Sequence, residues 1–203
     1  MIVYGRMTND LFLALLGFAF VTSVTPGPNN MMLLASGVNF GLRRTIPHML
    51  GISLGHMLMV VLVGLGLSGV FHTVPQLMIV LKVAAVGYML WLAWKIANAA
   101  VPGTATAAGR PFTFVQAAAF QWVNPKAWAM ALGAIAAYAP EPSLTTIAIV
   151  AASFALVNLP SVSVWAAAGQ VLRRWLEDPT RLRVFNWTMA VLLVLSLIPV
   201  LQL

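Results

Sequence analysis

The chain has 203 residues, 61% of them hydrophobic and 7% charged, against roughly 45–50% and about 25% in ordinary soluble domains. That composition excludes a soluble globular domain and reads as an integral membrane protein built as one compact bundle. The net charge of +7, from eleven basic and four acidic residues, is split between short links: this is the positive-inside bias of membrane loops, not the basic face of a nucleic-acid binder.

Cysteine is absent, which excludes disulfides, thiolate metal sites and thiol catalysis. Six apolar segments, each near the roughly 20 residues that span a bilayer, are read over 11–36, 46–70, 75–97, 114–139, 144–171 and 184–201. The stretch from Leu11, preceded by Arg6, is too long for a signal-peptide core.

The first segment carries a proline pair at its centre, Thr25-Pro26-Gly27-Pro28-Asn29. Proline inside a helix removes a backbone hydrogen bond and clashes with the preceding turn, and in hydrocarbon each freed polar group costs several kcal/mol. Thr25-Pro26 is also a capping residue followed by proline, the way a helix starts. The segment therefore reads as two half-helices. The restarted half presents free N–H groups and a partial positive charge suited to a carboxylate, and the half that ends offers carbonyls suited to an ammonium. Asn29 and Asn30 follow the break as buried amides, Asn30 as a structural cap.

In the second segment, Gly51-Ile52-Ser53-Leu54-Gly55-His56 fits the G-x-S-x-G pattern of hydrolase nucleophiles, but that motif needs a strand-to-helix elbow and this one lies in a helical span. Close helix packing through Gly51 and Gly55 is the favoured reading. An intramembrane enzyme built on Ser53 and His56 is the runner-up function, and a passive channel the third. His56 and His48 are candidates for carrying a coupling proton, against packing roles for both. Lys82, in the third segment, either snorkels to the outer surface or faces a cavity.

Residues 101–112 are rich in Ala, Gly, Thr and Pro and read as a linker. It divides a single transmembrane domain into two three-helix halves, 1–100 and 113–203. An odd number of spans per half forces opposite orientations, so an inverted repeat is expected. The fourth segment repeats the signal of the first: Asn124-Pro125-Lys126, a cap followed by proline. Lys126 sits near the centre of that span, where a lone Lys costs about 2.5–3.5 kcal/mol. It either faces the cavity and pairs with a substrate carboxylate, the favoured reading, or locks onto backbone carbonyls. Asn158-Leu159-Pro160-Ser161 marks a weaker break in the fifth segment, where Pro160 either interrupts the helix or only kinks it.

Arg43, Arg44, Arg110, Arg173, Arg174, Arg181 and Arg183 fall in the odd-numbered links, and the even-numbered ones lack Lys and Arg. The odd links are therefore expected in the cytoplasm and both termini in the periplasm. The two broken spans then run antiparallel, and their breaks are expected to face each other near the midplane.

Val24-Thr25-Pro26-Gly27-Pro28-Asn29-Asn30 resembles the Pro-Gly-Pro signature of the LysE/RhtB-type amino-acid exporters. Gly51-Ile52-Ser53-Leu54-Gly55 is similar to that family's second helix, Lys82-Val83-Ala84-Ala85-Val86-Gly87-Tyr88 with Trp91-Leu92-Ala93-Trp94-Lys95 to its third, and Asn124-Pro125-Lys126-Ala127 to its fourth. The resemblance implies a six-helix, multi-pass exporter of the bacterial inner membrane, driven by the proton motive force, that moves small amino acids outward. Members exporting cysteine and O-acetylserine look nearest, with homoserine and threonine exporters close behind.

The expected substrate site is Thr25, Pro26, Gly27, Pro28, Asn29, Asn124, Pro125, Lys126 and Asn158. The expected partners are a small amino acid, protons and membrane lipid, with a homo-oligomer left open. No metal, cofactor, nucleic acid or enzymatic activity is expected, and no phosphate-binding loop points to ATP.

Overall fold

The computed structural model describes residues 7–67, 73, 75–99, 110–139, 141 and 143–198, apart from the side chains at 75, 77, 78 and 82. Most of the expected linker, His72 and the side chain of Lys82 lie outside the described residues. Among the described residues there are helices and turns but no strand.

The first segment forms α1 (Asn9–Val24) and α2 (Pro28–Phe40), bent by 55° at a three-residue break. Thr8 caps α1 by accepting from the Leu11 N–H at 3.2 Å. A single residue, Gly41, turns α2 into α3 (Leu42–Leu62). Its φ of 81° lies in the left-handed region that glycine enters at no steric cost. Arg43 and Arg44, expected in a loop, therefore occupy the first turn of α3. A π-helical turn, Val63–Leu67, extends α3 and contains Gly66 at φ 101°.

The remaining helices are α4 (Pro75–Ala97), α5 (Phe114–Phe120), α6 (Pro125–Tyr138), α7 (Leu144–Leu172) and α8 (Pro179–Leu195). A 3₁₀ turn, Gln121–Val123, and the extended Asn124 separate α5 from α6. The weaker break expected at Pro160 does not form: α7 runs its 29 residues straight through it. Hydroxyls of Ser161 and Ser163 bond back to the Val157 and Leu159 carbonyls at 2.7 and 2.6 Å; the carbonyl that Pro160 leaves without its helical donor is that of Leu156. Helix α8 starts five residues before the expected segment, because Asp178 caps the Thr180 and Arg181 N–H groups, both at 2.9 Å, and Pro179 fills the first position.

Among the described residues, three helices are long and apolar enough to cross a membrane: Leu42–Leu67, Ile79–Ala97 and Leu144–Leu172. The bent α1–α2 pair makes a fourth. Helix α7 is the central post, packed against α1, α2 and α3; α3 also packs on α5, and α4 on α8. Lipid supplies no hydrophobic drive for such contacts, so small residues that let backbones approach must supply packing instead. A Cβ on Gly37 would collide with the Ala166 carbonyl and one on Gly169 with the Leu34 carbonyl, so α2 and α7 touch backbone to backbone. The close packing expected of Gly51 and Gly55 is found: Cβ atoms there would lie 2.7 Å from Ala117 Cβ and 2.6 Å from Ala118 Cα of α5. One buried cluster joins α1, α3, α6 and α7 around Leu15, Met59, Ala131 and Phe154. A second joins α2, α4, α5 and α8 around Met32, Met89, Phe120 and Leu193.

Candidate functional site

The two breaks meet. Asn29 Nδ2 donates to Gln121 Oε1 at 2.9 Å, and Gln121 Nε2 donates back to Asn29 Oδ1 at 3.2 Å. Lys126 Nζ donates to the Thr25 carbonyl at 2.5 Å. Gly27 lies directly under this lysine: a Cβ there would sit 2.7 Å from Lys126 Cδ and 3.2 Å from Nζ. Glycine is needed at this position for the close approach, since its extended backbone (φ −173°) is open to any residue.

The end of α1 is closed off by side chains. The Ser23 carbonyl accepts from Asn30 Nδ2 at 2.9 Å and the Val24 carbonyl from Trp165 Nε1 at 3.1 Å. The Thr25 carbonyl accepts from both Asn30 Nδ2, at 2.8 Å, and Lys126. The Thr25 hydroxyl turns back to the Val21 carbonyl. Three of the carbonyls expected to be free for an ammonium are therefore occupied, by the asparagine, tryptophan and lysine around the break. The Thr22 carbonyl, which lies four residues before Pro26 and so loses its helical donor, accepts none of these bonds.

The two restarted helices differ at their N-termini. Helix α6 is self-capped, Asn124 Oδ1 accepting from the Lys126 N–H at 3.2 Å. Helix α2 has Gly27 at its cap and no side chain closing it, with Pro28 in the first position. The half-buried Lys126 ammonium thus stands beside an open helix N-terminus, and a fixed positive pole and a full positive charge share one place. An anion is the complementary guest.

A small cavity of about 20 Å³ lies at this junction, room for about one water. Gly27, Asn29 and Asn30 line it from the first break, and Gln121, Asn124 and Lys126 from the second. His56 of α3 and Asn158 of α7 also line it, with Thr22 and Ser23 of α1 and the apolar Ala127, Met130 and Val162. Of the expected site residues, Gly27, Asn29, Asn124, Lys126 and Asn158 face this cavity. Thr25, Pro26, Pro28 and Pro125 are not part of its lining; they shape the breaks, and Thr25 takes part through its carbonyl.

Asn158 is the centre of a buried chain linking three helices. Its Nδ2 donates to Ser23 Oγ at 3.0 Å, and its Oδ1 accepts from Ser53 Oγ at 2.8 Å. Ser53 is thereby committed to an amide, not to a histidine. His56 is buried, packed edge-on against Phe154 at 5.1 Å, and neither ring nitrogen has a hydrogen-bond partner. His48, two turns earlier on α3, is also buried with both nitrogens unpartnered; it packs on Phe112 at 5.2 Å and does not line the cavity.

Gln121, Asn30, Ser23 and Trp165 were not among the expected site residues. The available signal was a polar or indole side chain inside an apolar segment, close to a break, in a medium where such groups need partners.

The chain is 31% identical over 191 residues to the cysteine/O-acetylserine efflux protein of Escherichia coli (strain K12), covering 93% of this chain and 96% of that protein. It is 29% identical over 190 residues to the protein of the same name from Klebsiella pneumoniae, covering 93% and 95%. No solved structure matches. The family described as LysE type translocator matches residues 20–197, and the chain belongs to that family.

Proposed function

We propose that this translocator exports small amino acids or their derivatives, of the cysteine/O-acetylserine, homoserine or threonine class, across the bacterial inner membrane by proton-coupled alternating access. The observation that carries the reading is the junction of the two breaks, with Lys126 laid across Gly27 beside the open N-terminus of α2. The substrate carboxylate binds there. It accepts from the Lys126 ammonium, which releases its Thr25 carbonyl contact, and rests against the positive end of α2. Substrate binding and the lysine's hold on α1 are then mutually exclusive, so occupancy changes how the two broken spans are tied.

The substrate class follows the relatives, whose printed name is cysteine/O-acetylserine efflux protein. Two inverted three-span halves suit the packing: α1 and α2 on α7 are answered by α5 and α6 on α3, and α4 pairs with α8. Rocking of one half against the other opens the junction alternately to each side. Both termini lie in the periplasm by the charge of the links. His56, on the cavity wall, is the better placed of the two histidines to exchange a proton with the transport cycle; His48 lies apart from it.

Overexpression in a bacterium, scored for resistance to a panel of toxic amino acids and analogues, tests the reading: no shift for any of them would count heavily against export. Proteoliposomes with and without a pH gradient separate mechanisms. Gradient-dependent accumulation marks a coupled exporter, and dissipation alone marks a channel.

A further inference from the structure

The cavity has a positive pole, and three of the carbonyls ending α1, the negative pole first expected of it, are already bonded. Two groups on its wall nevertheless have unused acceptors. Asn30 is 2% exposed; both bonds of its amide nitrogen go to α1 carbonyls, and its Oδ1 is buried with no partner. His56, also 2% exposed, has two unpartnered ring nitrogens, and an unprotonated imidazole always carries one acceptor nitrogen. Buried polar groups without partners are rare enough in native proteins to require a reason, and here two of them border the same cavity.

We infer that Asn30 Oδ1 and His56 together form the ammonium site of this cavity, beside the carboxylate site at Lys126, with which the Asn30 amide shares the Thr25 carbonyl. The inference rests on the export reading above and assigns the half of the substrate that Lys126 leaves unread. It makes His56 and Asn30 the residues that demand a free α-amino group. It also explains why the amide of Asn30 is turned as it is: with its nitrogen fixed on the Ser23 and Thr25 carbonyls, its oxygen is held out as an acceptor.

The test compares L-cysteine, kept reduced, with 3-mercaptopropionate, the same molecule without the amino group, for binding to the purified full-length protein. The wild type is expected to prefer cysteine by at least about tenfold, the worth of one hydrogen bond to a charged group. In His56→Leu and in Asn30→Ala that preference, taken as the ratio of the two affinities in the same protein, should collapse toward unity. A preference kept in both variants, or absent from the wild type, overturns the assignment. If the wild type binds none of cysteine, O-acetylserine, homoserine and threonine, the export reading itself falls, a result distinct from binding without discrimination. For a variant that fails to fold, the imidazole ¹⁵N resonances of the wild type put the same question: a shift of the His56 signals with cysteine but not with 3-mercaptopropionate supports the site, and equal responses overturn it.

Discussion

Asn29 and Gln121, 92 positions apart, exchange two amide hydrogen bonds of 2.9 and 3.2 Å and so fasten the restart of one broken span to the end of the other. Gln121 is fully buried and also donates to the Ala117 carbonyl at 2.9 Å. Removing one partner strands the other, whereas removing both with apolar groups of similar shape is close to neutral. Gln121→Leu should therefore lower stability by about 1–3 kcal/mol, and Asn29→Leu/Gln121→Leu should recover part of the loss. Transport should not return in the double variant, because both amides line the cavity. Thermal unfolding in detergent, run as a double-mutant cycle beside a resistance assay, checks both statements; full transport by the double variant would show that the pair is mere fastening.

Lys126 has one described hydrogen-bond partner for its ammonium, the Thr25 carbonyl. If that contact were its whole purpose, Lys126→Met would damage folding more than transport. The carboxylate role predicts the reverse: a well-folded protein whose apparent substrate affinity is weaker by about 10- to 100-fold, the worth of one charged hydrogen bond. A Lys126→Ala protein that folds and transports normally would overturn that role.

Gly27→Ala approaches the same question from the opposite side of the contact. The new Cβ would press on Lys126 Cδ at 2.7 Å, and a flexible side chain yields where a backbone does not. The fold should survive with little change in Tm, and uptake into inverted vesicles should drop because the ammonium no longer lies over the α2 terminus. Unchanged uptake would mean that its position there is incidental.

Proline made the two breaks legible before any coordinates, because its missing N–H and fixed φ act locally, whatever the fold around them. That the breaks meet was reachable from span count and link charge. The identity of the fastenings was not: Gln121 answers Asn29 across 92 positions and Trp165 answers Val24 across 141, and no local pattern encodes such pairs. That three of the carbonyls ending α1 are bonded has the same cause, since only the tertiary arrangement brings Asn30, Trp165 and Lys126 onto them. Pro160 shows the converse. The local signal there was real, but the packing of α7 on three helices carries the helix through it. The Asp178-Pro179 start of α8 was written in the sequence and passed over in favour of hydropathy.

Ser53 distinguishes a structural hydroxyl from a reactive one. Its Oγ donates to Asn158 Oδ1 at 2.8 Å, and Asn158 in turn holds Ser23 at 3.0 Å. Ser53→Ala should cost about 1 kcal/mol, the typical net worth of one buried hydrogen bond, and leave substrate export within a few-fold of wild type. Asn158→Ala, which breaks both links, should cost more and slow export. Equal and complete loss of function in the two variants, with both proteins stable, would contradict a purely structural Ser53.

Glycines on the helix crossings and glycines facing outward should respond to the same substitution with opposite signs. Gly37 and Gly169 place α2 and α7 in backbone contact, where an added Cβ meets the Ala166 and Leu34 carbonyls; a carbonyl cannot rotate away, so the helices must part. Overpacking of this kind costs about 1–3 kcal/mol and occasionally more. It also loosens α2, whose open N-terminus forms one side of the cavity. Gly17 in α1 and Gly87 in α4 have nothing within 4 Å of an added Cβ. Alanine there should raise stability by up to about 1 kcal/mol, through helix propensity alone. Folded yield and Tm of the four single variants decide the matter: Gly37→Ala and Gly169→Ala should fall below wild type and Gly17→Ala and Gly87→Ala should match or exceed it. If all four moved together, the tight α2–α7 crossing would not be what sets the geometry of the first break.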